Sequence, residues 1–557
     1  MREVRAVLVG LVAGVVILPT PPAQAHAAHV HDLGLVRAAQ ARNTSVRGLG
    51  PVHAAQVHNS SVRGLGLVDA AQARNAPVHR LGPGRAGHGP RVVDAGQDCP
   101  AGAVCGRMRV PLDREHPGAG TTSVAFRLVY RRDRSRPAEG TLLPNPGGPG
   151  LAVIGHRDYA GKYRDLLATY DLLLVDPRGV GESDPLTCRS ARGSDLHASR
   201  ARAVAAAAAC AREIGPRRAY YTTAAVADDI DDVRARLGID RLDLLGQSYG
   251  TQLMTVYAAR HPRHVSSVVL SSAYPTRVDM LGRPAARAMR RAVRLLCDRS
   301  GGVCDGRDVL DDLAVVAERL DERPLRYGSR RAVLDETALA GTVYKLASGH
   351  AELFGRLPAA LREAVHGDAG PLVALAEQVR PISGFSGGGT FSVPMFLTVS
   401  CNDNPVLWDR RASLAVRARQ YEAALARVDR RDFRPFRPAA WIDGIADLGD
   451  LCIGWPGVRA RPLPRLDRLP DVPVLVLSGE LDTGTPTEEG VLAARPYRHA
   501  RLLEVPSAGH VAEQDDRAAA CVISLETRFI RRGRVSGQEC LRRIPPVPVR
   551  SPSHSLL

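Results

Sequence analysis

The chain has 557 residues, enough for two to four domains or for one large α/β domain carrying an insertion. Hydrophobic residues make up 45% of it, ordinary for a globular protein with a substantial core. The net charge of +17 would suit nucleic acid or an anionic surface. However, almost all of the positive charge is Arg, with Lys only at Lys162 and Lys345, and it is mixed with Asp and Glu along the chain rather than gathered in a stripe with aromatics, so no nucleic-acid partner is expected.

Residues 1–25 read as a secretory signal peptide. Arg2 and Arg5 form a positive start, "AVLVGLVAGVVIL" (6–18) is a short apolar run, and Ala23-Gln24-Ala25 is a cleavage site. The run falls short of the ~20 residues of a spanning helix, and no later stretch is long and apolar enough, so a secreted, extracellular protein without a membrane span is expected. Residues 26–94 follow as a disordered leader or propeptide. Within them, 34–81 hold three copies of a 16-residue repeat, "GLVRAAQARNTSVRGL", "GPVHAAQVHNSSVRGL" and "GLVDAAQARNAPVHRL". Such short repeats bury little by themselves. Their histidines, His53, His58 and His79, read as solvated low-complexity positions rather than metal ligands.

Ten cysteines lie beyond the signal, an even number that in an exported chain suggests disulfides. Pairing of sequence neighbours would give 99–105, 188–210, 297–304, 401–452 and 521–540, although sequence does not fix connectivity. The spacings do not suit zinc.

From residue 95 strands and helices alternate. "TTSVAFRLVYRR" (121–132), "GTLLPNPGGPG" (140–150), "YDLLLVDPRGVGES" (170–183), "LDLLGQSYG" (242–250) and "VSSVVLSSAYP" (265–275) each contain a strand, and "VADDIDDVRARLGI" (226–239) carries a helical stripe. Two more strands lie in "DVPVLVLSGELD" (471–482) and "ARLLEVPSAGH" (500–510). This order implies an α/β class with a mostly parallel sheet covered on both faces. The expected division is a first core part over 95–275, a helical lid over 276–465 with loops such as "PISGFSGGG" (381–389), a second core part over 466–544 and an unstructured tail over 545–557.

Ser248 stands at the centre of a G-x-S-x-G spacing between a strand and a helical pattern, the setting of a serine nucleophile on a strained turn. A serine needs a base, and the base needs an acid to hold it. Asp482 follows one late strand and His510 the next, so Ser, Asp and His fall in the chain order of α/β hydrolases, each at a strand's carboxyl end. Glu480 is the rival acid. The oxyanion hole is expected from the amides of Tyr249 and of Gly148 in "NPGGPG", with Gly147 as second choice. An Asp at the elbow would have pointed to an epoxide hydrolase or dehalogenase, but the chain has Ser248.

Taken together, "NPGGPG", "DPRGVGES" (176–183), "GQSYGT" (246–251), "SCND" (400–403), "LDTGTP" (481–486) and "AGHV" (509–512) occur in an order over residues 95–540 that resembles secreted α/β-hydrolase peptidases of the prolyl iminopeptidase and tripeptidyl aminopeptidase type. Pro146 stands where cytoplasmic members carry a histidine. The resemblance implies an α/β-hydrolase fold with a lid inserted before the last core strands, and an exopeptidase that acts near a free peptide N-terminus through an acyl-enzyme. It implies acidic lid residues for the substrate's α-ammonium group, for which Asp403 is the candidate. Cys401 and Cys452 would tie down the lid wall, and Asp176 and Arg178 would be structural, an Arg–Asp pair holding the loop. Some relatives prefer esters, so a secreted carboxylesterase or lipase with the same triad is the alternative. No metal or organic cofactor is expected, and the chain is taken as a monomer.

Overall fold

The computed structural model describes residues 92–93 and 99–551, apart from 156–157, 192–198, 276, 329–331, 380–390, 446–447 and 458–468. The signal peptide, the repeats and the loop 381–389 therefore lie outside the described residues.

Nine strands form one sheet: β1 (Val92–Val93), β2 (Ala103–Pro111), β3 (Thr121–Val129), β4 (Thr141–Asn145), β5 (Asp171–Val175), β6 (Leu242–Gln247), β7 (Val265–Ser271), β10 (Val474–Gly479) and β11 (Ala500–Val505), in the order β1-β2-β3-β5-β4-β6-β7-β10-β11. A hairpin, β8 (Leu325–Tyr327) with β9 (Ala332–Leu334), stands apart. From β5 to β11 neighbours run parallel, while β1, β2 and β3 pair antiparallel at one edge. β4, β5, β6 and β10 are buried at every position, as parallel strands must be when helices cover both faces.

Successive side chains feed opposite layers because the strand period is two. Leu244, Val268 and Val476 enter one apolar cluster, with residues of α3 (Thr223–Arg236) and α4 (Tyr249–Arg260). Their neighbours Leu245, Val269 and Leu477 enter another, with α15 (Ala519–Arg532) and Tyr159 and Tyr163 at α1 (Tyr159–Lys162). A third cluster holds α2 (Arg200–Ile214), Trp408 and Trp455. α14 (Thr487–Ala494) links β10 to β11.

Between β7 and β10 the alternation stops, as the helix-rich composition there predicts. The described elements of that insertion are α5 (Arg283–Asp298), α6 (Gly306–Glu322), the hairpin, α7 (Glu336–Gly349), α8 (Ala351–Phe354), α9 (Leu357–Val365), α10 (Gly370–Val379), α11 (Val393–Asp403), α12 (Leu414–Leu425) and α13 (Pro438–Gly444). Most share an apolar core of their own around Met289, Leu313, Val343, Leu361 and Trp441. Among the described residues no helix is long and apolar enough to cross a membrane.

Residues 545–551 differ from the expected loose tail. Val547 is buried in the lid core, and the Arg550 amide donates to the Gly355 carbonyl at 2.9 Å. Pro-rich composition signalled no helix or strand, but an extended segment can still seat one apolar side chain. Residues 552–557 lie outside the described residues.

All five neighbour pairings are formed as disulfides, and the described residues include no free cysteine. Such a set fits an oxidising, extracellular or envelope environment. Cys401–Cys452 closes the widest gap, 51 residues, and joins α11 to the segment before Trp455 inside a buried cluster. Replacing both cysteines with serine should lower stability by roughly 4 kcal/mol, from the loop entropy returned to the unfolded chain. Denaturant titration of the double variant should show a midpoint well below that of the parent protein, and an unchanged midpoint would contradict it.

Candidate active site

Ser248 sits between β6 and α4 at φ +56° and ψ −131°, a left-hand backbone that only a strongly determined turn imposes. The turn is held through its backbone. The Ser248 amide donates to the Ser271 carbonyl at 3.0 Å, and its carbonyl accepts from the Thr251 amide at 2.9 Å and the Thr251 hydroxyl at 2.6 Å. A serine before a helix commonly caps it with its hydroxyl. Here the hydroxyl makes no such bond, and the residue instead lines a cavity. The flanking glycines are required by contact. A Cβ on Gly246 would lie 2.5 Å from the Gly250 carbonyl oxygen, and one on Gly250 would strike the Asn145 carbonyl.

Gly147 and Gly148 follow β4, next to this turn. The Gly147 amide donates to Asn145 Oδ1 at 3.0 Å, and a Cβ on Gly147 would lie 2.9 Å from the Tyr249 nitrogen. With the Gly147 amide used inside the loop, Gly148 is the residue of the pair on the cavity wall with Ser248. Tyr249 begins α4, where amides have no partner within the helix.

Asp482 and His510 also meet. Asp482 Oδ2 accepts from His510 Nδ1 at 2.9 Å and from the Thr485 hydroxyl at 2.8 Å, and its Oδ1 accepts from the amides of Gly484 (2.7 Å) and Thr485 (3.0 Å). The carboxylate is fully buried. Burial alone would raise its pKa, but the His510 ring and the Thr485 donors outweigh it and hold the carboxyl below its ordinary range. Glu480 is engaged elsewhere. Its carboxylate takes the Arg299 guanidinium from the lid end of α5 and accepts from the Ser507 amide at 3.0 Å. The His510 loop rests against the lid as well: its amide donates to the Ser348 carbonyl at the end of α7, and Thr483 bonds Ser348 (2.6 Å) and the Tyr344 carbonyl (2.8 Å).

Ser248, Gly148 and His510 line one cavity of about 630 Å³, closed over by lid residues Tyr344, Leu353, Val379, Phe396 and Ile445. This volume lies in the range of pockets for small ligands, roughly 300–1,000 Å³. Its lining includes three acidic residues, Glu352 on α8 and Asp515 and Asp516 just past the His510 loop, and two basic ones, Lys345 and Arg517; Asp515 pairs with Arg517, and Glu352 and Asp516 are exposed.

Asp403 is not among the residues of that wall, which corrects the expectation that it holds the substrate's ammonium group. Its Oδ2 accepts from the Thr223 amide and hydroxyl, both at 2.6 Å, at the start of α3. Burial pushes its carboxyl up to about 6, against the pull of those donors. The residues at the wall gave no motif to read, since Glu352 lies in an ordinary helical stretch. Asp176 and Arg178 likewise do not pair with each other. Asp176 accepts from the amides of Val153, Ile154 and Glu182, while Arg178 forks onto Asp229 at 2.6 Å. Among the described residues, one group could hold a metal ion, Asp113, Glu115 and His116, and none of these lines the cavity.

The sheet order, the serine turn and the inserted lid are those of an α/β hydrolase, and this is the fold of the chain. Residues 140–292 match the family described as alpha/beta hydrolase fold, and residues 439–540 match the family described as TAP-like protein. The chain is 28% identical over 486 residues to the serine protease Hip1 of Mycobacterium tuberculosis, covering 79% of this chain and 88% of that protein. It is 26% identical over 437 residues to the tripeptidyl aminopeptidase of Streptomyces lividans, covering 73% and 77%. It is also 29% identical over 428 residues to carboxylesterase B of M. tuberculosis, covering 71% and 78%. The chain is a hydrolytic enzyme of this fold, and of these three relatives two are named as peptidases and one as a carboxylesterase.

Proposed function

We propose that the chain is a secreted serine exopeptidase that cleaves near the free N-terminus of peptides, with Ser248 as nucleophile, His510 as base and Asp482 as the acid that orients it. The observation that carries the exopeptidase reading is the cavity itself: the acidic residues Glu352 and Asp516 are among its lining residues with Ser248 and His510. Both residues are exposed at the cavity's open side, where they would attract an α-ammonium group and would not attract a blocked amine.

The chemistry follows from the bonds. His510 bonds Asp482 through Nδ1, which leaves Nε2 to take the Ser248 proton as Oγ attacks the carbonyl. The Tyr249 and Gly148 amides receive the oxyanion. His510 returns the proton to the departing amine, then activates a water that releases the acyl group from Ser248. Export rests on the signal-like residues 1–25 and on the disulfides.

Chromogenic peptides with free and N-acetylated ends test the reading. Acetylation should lower kcat/KM by roughly fivefold, since a solvent-exposed ion pair is worth up to about 1 kcal/mol. Equal rates on both would instead favour the alternative, a secreted carboxylesterase or lipase with the same three residues, as the similarity to carboxylesterase B allows.

A further inference from the structure

On the face of the serine turn away from the cavity lies a buried polar cluster that the mechanism above does not use. Gln247 immediately precedes Ser248, and Glu513 follows His510 by three residues. The two are 3% and 1% exposed, and neither is among the residues of the cavity wall. Glu513 Oε1 accepts from Gln247 Nε2 at 2.8 Å, and its Oε2 accepts from the Ser271 hydroxyl at 2.8 Å. Ser271 is the residue whose carbonyl accepts the Ser248 amide. Gln247 is held from its other side by the Tyr159 hydroxyl, which donates to Oε1 at 3.0 Å, so its amide is oriented and its NH2 faces Glu513. Next to them, Ser272 Oγ accepts the Val511 amide at 2.7 Å. The strand that carries the serine and the loop that carries the histidine are thus joined through one carboxylate.

A second carboxyl completes the cluster. Glu526, on α15, is fully buried; the Tyr163 hydroxyl donates to its Oε2 at 2.7 Å, and its Oε1 is buried with no donor. Burial, then the Glu513 charge, raise the Glu526 pKa well above its ordinary value. The other titratable groups facing the pair come from α1 and its end. Tyr159 and Tyr163 are fully buried, and Lys162 donates to the Glu513 carbonyl at 3.1 Å and lowers the Glu526 pKa slightly.

We propose that Glu513 is a positioning residue for the Ser248–His510 pair, a carboxylate that holds the nucleophile's strand and the histidine's loop in register through Gln247 and Ser271. The inference rests on the reading of Ser248 as nucleophile and His510 as base. Misplacement of reacting groups by about 1 Å costs on the order of 100-fold in rate, so a residue that sets their spacing acts on kcat without touching substrate.

The test measures the rate at which a fluorophosphonate labels Ser248, together with kcat and KM on one peptide substrate. Glu513→Gln places an amide against the Gln247 amide, and it should slow labelling and kcat by roughly 10- to 100-fold with KM within about threefold. Gln247→Glu alone sets a second carboxylate beside Glu513 and should be slowed similarly. The double variant, Gln247→Glu with Glu513→Gln, restores one amide–carboxylate bond across the same gap and should recover most of the rate.

Labelling of Glu513→Gln at the parent rate, or a double variant no faster than the singles, overturns the proposal. If Glu513→Gln does not fold, the double variant decides in the same way. Ser248→Ala separates the two readings. Labelling that survives this change refutes the triad itself, whereas its loss alongside normal labelling of Glu513→Gln refutes only the role of Glu513.

Discussion

Replacing Ser248 with alanine should abolish hydrolysis of peptides and esters alike, lowering kcat by about 10⁴- to 10⁶-fold, while the protein melts at nearly the same temperature. The size of the loss follows from chemistry: without the hydroxyl there is no acyl-enzyme, and only the oxyanion amides and the cavity remain to favour reaction. The small structural effect follows from the turn. Its hydrogen bonds run through the Ser248 amide and carbonyl, and the hydroxyl does not cap α4, so alanine keeps every bond that holds the strained backbone. Kinetics on one peptide and one ester, with a thermal melt, check both halves. Turnover retained within tenfold would refute Ser248 as nucleophile.

Asp482→Asn should cost nearly as much, about 10³- to 10⁴-fold in kcat, with KM little changed. The asparagine can keep its oxygen on the Gly484 and Thr485 amides, which presents its NH2 to His510 Nδ1. Nδ1 must then accept rather than donate, the ring proton moves to Nε2, and the imidazole can no longer take the serine proton. The same residue makes a pH statement. Because its pKa is depressed, the stability that Asp482 contributes is present above the ordinary aspartate value and is lost as pH falls through the lowered one. The Asn variant should therefore lose less stability than the parent between neutral and strongly acidic pH. Parallel curves for the two proteins would count against a carboxylate held ionised by His510.

The serine turn was legible because it is local. The apolar run 242–245, the glycines at 246 and 250 and the helical pattern after them specify a strand, a tight corner and a helix within twenty residues. The acid was legible only to within two positions. Asp482 and Glu480 leave the same strand end, and what separates them is Arg299, which arrives from the lid 181 residues away and takes Glu480. The ammonium site was misread for a related reason. Asp403 belongs to a motif, but α3 presents Thr223 to it, and that contact turns it away from the cavity. Nothing in the periodicity around Glu352 or Glu513 sets them apart from ordinary helical or loop acids.

By itself, the sequence determined the parallel sheet, the insertion and the order of serine, acid and histidine along the chain, while the pairing of its ten cysteines came from the structure. Each of the first three follows from short-range patterns: the period of apolar side chains and the φ that a corner demands. Only the tertiary structure decided which carboxylate faces the histidine, which acids line the cavity, where the last residues lie and what stands behind the nucleophile. Those outcomes depend on partners brought together from far along the chain, such as Gln247 and Glu513, 266 residues apart. A buried charge must find its counterpart wherever packing puts it, and that position is a property of the folded molecule.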